Sequence, residues 1–208
     1  MKNFLYALLS GFLLALSWPT FGFAFLILIA FVPLLFAEFN IRNLSPSYMK
    51  LKVFGLAYLS FFIWNLITTY WLYFSTPFGG AFAILVNSLL MALVFLGYHL
   101  VAKRTGFLVS AIFLTSIWMV FEKIHLIWDF SWPWLNLGNV FSENIQWVQW
   151  YEYTGAFGGT LWIWLINLIL FKTLLRYREF KVTSILYKAA ITLLMVLGIP
   201  MVVSYLIS

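Results

Sequence analysis

The sequence predicts an all-α integral membrane protein, a bundle of seven transmembrane helices whose extracytoplasmic loops are aromatic and lie at the membrane interface. Two observations lead to this fold class. Of the 208 residues, 64% are hydrophobic and only 9% are charged, which is more apolar surface than one soluble domain can bury. The apolar residues also fall into seven stretches close to the length of a membrane-spanning helix, without the alternating segments of a membrane β-barrel.

These stretches leave little of the chain outside them, so we expect a single transmembrane domain covering residues 1–208. The first stretch is short and follows Lys2, as in a removable signal peptide. Ser17-Trp18-Pro19 is a poor cleavage site, however, and another span follows at once, so we expect the first stretch to be retained. The predicted spans are residues 4–18, 21–37, 53–74, 81–102, 107–121, 157–175 and 185–207.

The charges predict which way the bundle sits in the membrane. With the N-terminus in the cytoplasm, all lysines and arginines except Lys123 fall in cytoplasmic segments, as the positive-inside rule requires. Glu122, Asp129, Glu143 and Glu152 fall on the other side. Seven spans then place the C-terminus outside the cytoplasm. Because the cations are spread over separate loops, the basic charge does not indicate a nucleic-acid partner.

The stretch FSWPWLNLG, residues 130–138, is the most unusual segment of the predicted third outer loop. It is too apolar for a loop in water, and Pro133 and Gly138 interrupt it too strongly for a span. Tryptophan favours the bilayer interface, where its ring meets acyl chains and its N–H reaches water. We therefore expect this segment to lie in the outer interface. The same loop contains Trp128, Trp132, Trp134, Trp147 and Trp150.

Two carboxylates near this loop are candidates for function. Glu122 follows Trp118 by four residues at the outer end of the fifth span, so both side chains lie on one helix face. Ionisable groups at membrane depth are usually paired or functional. The alternative is an ion pair with Lys123 or simple exposure at the interface. Glu152, just before Thr154-Gly155, has the same two interpretations.

The other polar residues in the spans favour helix packing over a transport path. We expect them to form hydrogen bonds between helices, and we find no buried charge or broken helix pair typical of a transporter. They are Asn65, Thr68, Thr69, Asn87, Ser88 and Asn167.

No cofactor or metal is expected. The chain has no cysteine, and it lacks nucleotide-binding and zinc motifs. His99 and His125 are far apart in sequence and have no ligand-like partner at helical spacing. His99, near the end of a span, is expected to be a satisfied interface residue.

Five aromatic and glycine-containing blocks, taken together in order, resemble the apolipoprotein N-acyltransferase family. Each block alone is a weak motif, but five in register with seven spans are specific and cover essentially the whole chain. The blocks are LSWPTFGFAFLILIAFVPLL, YWLYFSTPFGG, WMVFE, WPWLNLG and QWYEYTGAFGG.

The resemblance implies an acyltransferase of the bacterial inner membrane that takes part in lipoprotein biosynthesis. Such an enzyme transfers an acyl chain from a phospholipid to the N-terminal cysteine amine of a diacylated lipoprotein. In the family, the membrane half precedes a periplasmic nitrilase-like domain that carries a Glu-Lys-Cys triad. We expect that domain to be absent here, because these 208 residues contain no cysteine and no position matches the triad. The C-terminus is then periplasmic, and we expect no catalysis without a separate nitrilase-like subunit.

The resemblance also implies that several residues form a platform for the lipid substrates beneath the missing domain. These platform residues are Trp118, Glu122, Trp132, Pro133, Trp134, Gly138, Glu152 and Gly155. Two alternatives remain open from the sequence. One is a non-catalytic scaffold that binds lipid or lipoprotein, and the other is a small transporter.

Overall fold

The computed structural model describes residues 1–44 and 47–207, and every regular element within those ranges is helical. The α-helices are α1 (Lys2–Ser17), α2 (Ile27–Ala30), α3 (Val32–Leu44), α4 (Met49–Thr69), α5 (Leu72–Ser75), α6 (Pro77–Ala102), α7 (Phe107–His125), α8 (Tyr151–Phe180) and α9 (Thr183–Ile207). Short 3₁₀ turns cover Ala24–Leu26, Pro133–Leu135, Leu137–Phe141 and Ile145–Trp147.

The fold is an all-α membrane bundle, as predicted. Six helical segments are long and apolar enough to cross a membrane: Ala24–Leu44, which combines α2 and α3, and then α4, α6, α7, α8 and α9. The shorter apolar helix α1 has 16 residues. At 1.5 Å per residue it extends about 24 Å, less than the ~30 Å of bilayer hydrocarbon.

Two of the segments expected to be loops are largely helical. Residues 75–80, which lie between the third and fourth predicted spans, belong to the end of α5 and to the start of α6, apart from Thr76. Only Thr76 separates these helices; its hydroxyl accepts a hydrogen bond from the Gly79 N–H, and Pro77 follows as the first helical residue. The first turn of α8, from Tyr151, lies before the predicted span, and the non-helical Gly155 separates it from the regular helix, which starts close to the predicted residue 157.

The antiparallel helices define two ends of the bundle. One end, here called the basic end, carries Arg42 in the last turn of α3, Lys103 after α6 and Lys181 after α8. The opposite end, here called the loop end, carries the segment from Leu126 to Trp150 between α7 and α8.

An aromatic core packs α2, α4, α7 and α8 together toward the loop end. Phe31, Phe61, Trp118 and Trp164 are all fully buried. The Phe31 ring lies 4.3 Å from Trp164 and 5.5 Å from Trp118, measured between centroids, and Phe61 lies 5.6 Å from Trp118. Because lipid tails are as apolar as these side chains, the core stabilises the bundle through close packing.

The second span is broken at Phe31, and a side chain from α8 repairs the break. Pro33 has no N–H and its ring conflicts with the preceding turn, so a regular helix cannot pass through this point. Asn167 inserts its amide into the opened turn. Its Oδ1 accepts a hydrogen bond from the Phe31 N–H at 3.0 Å, and its Nδ2 donates to the Ile27 carbonyl at 2.9 Å. These are the two backbone groups that would pair in an intact helix.

A second proline is compensated in the same way. Pro200 lies inside α9 and leaves the carbonyl of Val196 without its usual backbone donor. The indole Nε1 of Trp162 on α8 donates to that carbonyl at 2.7 Å. A backbone group in lipid has no water to pair with, so this contact both satisfies the carbonyl and fixes α9 against α8.

The polar residues of the spans divide into two groups. The asparagines bond between helices as expected, since Asn87 Nδ2 donates to Asn65 Oδ1 at 2.7 Å and Asn167 joins α8 to α2. The hydroxyls of Thr68, Thr69 and Ser88 instead donate to carbonyls of their own helices, so the expectation was wrong for them.

Replacing Asn167 with leucine should weaken the bundle, because the Phe31 N–H and the Ile27 carbonyl both lose their partner. We expect a loss of about 1–3 kcal/mol, and a fall of roughly 2–10 °C in the midpoint of thermal unfolding in detergent. Thr192→Val is the matched control, because that hydroxyl bonds only to the Lys188 carbonyl of its own helix. Equal midpoints for the two variants would contradict the bridging role.

Candidate functional site

The carboxylate of Glu122 is the centre of the loop end. It lies in the last turn of α7 and is 1% exposed. Its Oε1 accepts hydrogen bonds from Trp118 Nε1 at 3.2 Å and from the Leu137 backbone N–H at 2.7 Å. Its Oε2 accepts from the Thr160 hydroxyl at 2.7 Å. One side chain thus joins α7, the Leu126–Trp150 segment and α8.

The turn Leu137–Phe141 is held directly on α8. The N–H of Gly138 donates to the Thr160 hydroxyl at 3.2 Å, and the Gly138 carbonyl accepts from the Tyr151 hydroxyl at 3.1 Å. Thr160 therefore accepts from the turn and donates to Glu122. A side chain at position 138 would overlap the carbonyl of Ala156, so only glycine permits this close approach.

Short-range hydrogen bonds shape the chain that leads into this turn. The Pro133 carbonyl accepts from the Asn136 N–H at 3.1 Å and from Asn139 Nδ2 at 3.0 Å. Ser131 donates to the carbonyl of His125 at 2.8 Å, which ties the segment to the end of α7. Pro133 starts the 3₁₀ turn Pro133–Leu135, where its missing N–H needs no partner.

The structure separates the two tryptophans of the WPW stretch. Trp132 is half-buried and faces a cavity between α6 and the loop segment. Trp134 is 51% exposed and packs edge-on against Trp71, with ring centroids 5.6 Å apart. Only Trp134 presents a large apolar surface to the outside of the bundle.

Glu152 and Gly155 lie at the start of α8, beside the buried centre. Gly155 has φ +63° and ψ −174°, a conformation that glycine adopts without strain, and it interrupts the first turns of α8. Glu152 is exposed and lines an open groove of about 500 Å³ together with Gly138 and Ala156.

The structure therefore brings Trp118, Glu122 and Gly138 into one hydrogen-bonded group, while Glu152 borders it and Trp134 lies apart. Glu122 is neither exposed nor paired with Lys123, and no ion pair involves it among residues 1–44 and 47–207. The sequence reasoning missed Thr160, Tyr151 and the backbone of Leu137. Thr160 directly follows the GG of the QWYEYTGAFGG block, and this position was the one feature of the sequence that pointed to Thr160.

A second buried carboxylate, which the sequence reasoning also missed, lies at the basic end. Glu38 Oε1 contacts Arg42 Nε at 2.9 Å and His99 Nδ1 at 2.7 Å. His99 is fully buried in the last turn of α6, and its pairing with Glu38 satisfies one ring nitrogen. The four-residue spacing of Glu38 and Arg42 is typical of a helical ion pair and was a visible signal. Arg42 also donates to the carbonyl of Ala102, so the group closes the basic end of α3 against α6.

The hydrogen bonds at the loop end hold the Leu126–Trp150 segment on the helices. Both oxygens of Glu122 are occupied as hydrogen-bond acceptors, and the 208 residues contain no thiol. Within the described ranges, no group of three or more histidines or carboxylates could hold a metal ion. The site fixes an aromatic segment on the bundle and borders a groove and a cavity.

Comparison with known proteins agrees with the resemblance. A family model described as the apolipoprotein N-acyltransferase N-terminal domain matches residues 10–169. An apolipoprotein N-acyltransferase from Chlorobaculum tepidum is 29% identical over 184 residues, which are 87% of this chain and 33% of the relative. A second, from Geobacter metallireducens, is 27% identical over 199 residues, which are 94% of this chain and 38% of the relative.

The chain therefore spans little more than a third of the length of these curated relatives. No solved structure gives a significant match to it. Since the family model covers more than half of the sequence, and the match includes Trp118, Glu122, Gly138 and Thr160, the chain belongs to the apolipoprotein N-acyltransferase family.

Proposed function

We propose that this chain is the membrane half of an apolipoprotein N-acyltransferase. In this role it supports acyl transfer from a phospholipid to the N-terminal cysteine amine of a diacylated lipoprotein. The observation that carries the proposal is the Leu126–Trp150 segment, which Glu122 and Thr160 hold on the end of the helices. Both substrates are lipids that approach sideways from the bilayer, and an ordered aromatic surface at the interface suits them.

A cysteine nucleophile has to come from outside these 208 residues, because they contain no cysteine. A covalent acyl-enzyme needs an activated thiolate or a similar group. We therefore propose that a nitrilase-like partner or domain sits on the loop end and supplies this group. The exposed Trp134 and the groove beside Glu152 are the surfaces available to it. The role of the chain is to place the two lipids, and it is not catalytic alone.

We also propose that the protein lies in the bacterial inner membrane with its basic end in the cytoplasm. Arg42, Lys103 and Lys181 mark that end, and short loops rich in cations are retained on the cytoplasmic side. The loop end then faces the periplasm, where lipoprotein acceptors are available.

Single cysteines test this orientation cleanly because the chain has none of its own. Ser142 is exposed at the loop end and Thr105 is exposed at the basic end. We expect a membrane-impermeant maleimide to label Ser142→Cys in intact cells, and to label Thr105→Cys only after the membrane is permeabilised. The reverse pattern would contradict the proposed orientation.

Acyl transfer is best tested in a chimera in which residues 10–169 replace the matching membrane region of the Chlorobaculum tepidum relative. In cells depleted of their own enzyme, we expect the chimera to convert a diacylated reporter lipoprotein to the triacylated form, detected by mass spectrometry. Trp132→Ala and Trp134→Ala should each lower the initial rate several-fold, because both remove aromatic surface that places the lipids.

Val120→Ala is the matched control, since Val120 is an exposed residue on α7 outside the platform. A chimera that inserts into the membrane, melts like the relative and yet transfers nothing would overturn the proposal. If it still bound phospholipid under those conditions, the non-catalytic scaffold would be the better description.

A further inference from the structure

We propose that the groove between α7 and α8 holds one acyl chain of an anionic phospholipid from the leaflet at the basic end. This inference goes beyond the proposed function, because none of the residues that line this α7–α8 groove belongs to the platform. The groove has a volume of about 410 Å³. Its lining includes Phe107, Ile112, Met119, Leu161, Leu165 and Lys172.

The length of the α7–α8 groove matches one leaflet of the membrane. Along α7 its lining extends from Phe107, the first residue of that helix, to Met119, and along α8 from Lys172 to Leu161. At 1.5 Å per residue these stretches are about 18 and 16 Å long. Half of the ~30 Å hydrocarbon core is about 15 Å. The groove therefore begins at the basic end and covers little more than one leaflet.

The walls of the groove favour an acyl chain over a polar ligand. The lining contains no carboxylate, and apart from Lys172 its polar residues are Thr115 and Ser116. The Thr115 hydroxyl already donates to the Ala111 carbonyl at 3.0 Å. Ile112 is 59% exposed, so the groove opens on the outer surface of the bundle. An acyl chain lying there makes close contacts with both helices.

Lys172 places a positive charge at the basic end of the groove. Its Nζ lies 4.9 Å from the centroid of the Phe107 ring, so this contact holds the ammonium group over the start of α7. No carboxylate pairs with Lys172 among residues 1–44 and 47–207. The charge can therefore pair with a phosphate group at the level of the phospholipid headgroups.

The residues around this end of the groove add to the positive charge. Lys103 and Arg104 lie in the turn that leads into α7, and Arg176 lies one turn beyond Lys172 on α8. Glu179 is the one acidic residue in these two stretches, and it is exposed without an ion pair in the described ranges. Basic clusters beside membrane helices bind anionic lipids. We therefore expect phosphatidylglycerol to bind in preference to phosphatidylethanolamine, which carries its own ammonium group.

Native mass spectrometry of the 208-residue chain in detergent tests this preference. The chain is titrated with phosphatidylglycerol and with phosphatidylethanolamine that carry the same acyl chains. We expect the first phosphatidylglycerol to bind about fivefold more tightly, the effect of one cation near a membrane surface. Equal affinities for the two lipids would overturn the proposal. Displacement of the lipid by glycerol phosphate, which carries the phosphate but no acyl chain, would overturn it as well.

Charge variants locate the headgroup at the basic end of the groove. Lys172→Gln should lower the affinity for phosphatidylglycerol about fivefold, whereas Lys172→Arg should keep it. Lys188→Gln is the matched control, because Lys188 is an exposed cation of α9 outside the groove, and we expect it to leave binding unchanged. An equal loss of affinity in Lys172→Gln and Lys188→Gln would contradict the site.

Variants that fill the groove locate the acyl chain. Ile112→Trp places a large ring in the groove and should abolish the preference for phosphatidylglycerol. Val109→Trp is its control, because Val109 is an exposed residue of α7 outside the lining, and this variant should bind like the native chain. Equal affinities in the two tryptophan variants would place the lipid elsewhere and overturn the proposal.

Thermal unfolding gives a second measurement on the same proteins. A ligand that binds only the folded bundle stabilises it, so saturating phosphatidylglycerol should raise the unfolding midpoint of the native chain and of Val109→Trp, but not that of Ile112→Trp. The same rise in all three proteins would contradict the site. None of these measurements requires acyl transfer, so an inactive chimera would leave this proposal intact.

Discussion

The arrangement of the loop end depends on one buried carboxylate. A carboxyl group removed from water is costly unless it is hydrogen-bonded, and Glu122 meets this requirement with donors from three different parts of the chain. Trp118 lies one turn away on α7, Leu137 belongs to the loop and Thr160 belongs to α8. Because Glu122 needs these hydrogen-bond partners, it fixes the position of the irregular Leu126–Trp150 segment on the helices. The groove beside Glu152 and the cavity under Trp132 both border that segment.

Polar backbone groups deeper in the bundle also need hydrogen-bond partners, because no water reaches them. Pro33 and Pro200 disturb the helical hydrogen bonding near Phe31 and within α9, and side chains of α8 pair with the backbone groups that lack helical partners. The Phe31 ring packs against Trp164 and against Trp118, whose indole N–H donates to Glu122. The helix α8 thus contributes Thr160, Trp162 and Asn167 within about two turns, and these three residues connect the loop end, α9 and α2. The helix α8 therefore links the interfacial segment to the rest of the bundle.

Hydropathy predicted the helical bundle well, because span length and apolar composition are local properties of the sequence. The pairing of Trp118 with Glu122 could also be predicted, because a spacing of four residues places both side chains on one face of the helix. The other partners of Glu122 could not be predicted from the sequence, because Thr160 lies 38 residues away and Leu137 contributes only its backbone N–H. The contacts of Asn167 with Phe31 and of Glu38 with His99 also join residues that are far apart in the chain, so no local sequence pattern predicted them. The turn before Gly155 was missed because the sequence there indicates a loop, and the backbone of Gly155 does interrupt the helix.

The most direct test of the central claim is hydrogen–deuterium exchange at the Leu137 amide, measured in lipid nanodiscs on the native chain and on Glu122→Leu. The Leu137 N–H donates to Glu122 at 2.7 Å in a buried position, so it should exchange as slowly in the native chain as amides inside α7. Removing the carboxylate should speed that exchange greatly, while amides near Arg42 at the basic end stay protected. Fast exchange in the native chain, or equal protection in both, would show that Glu122 does not hold the segment on the bundle.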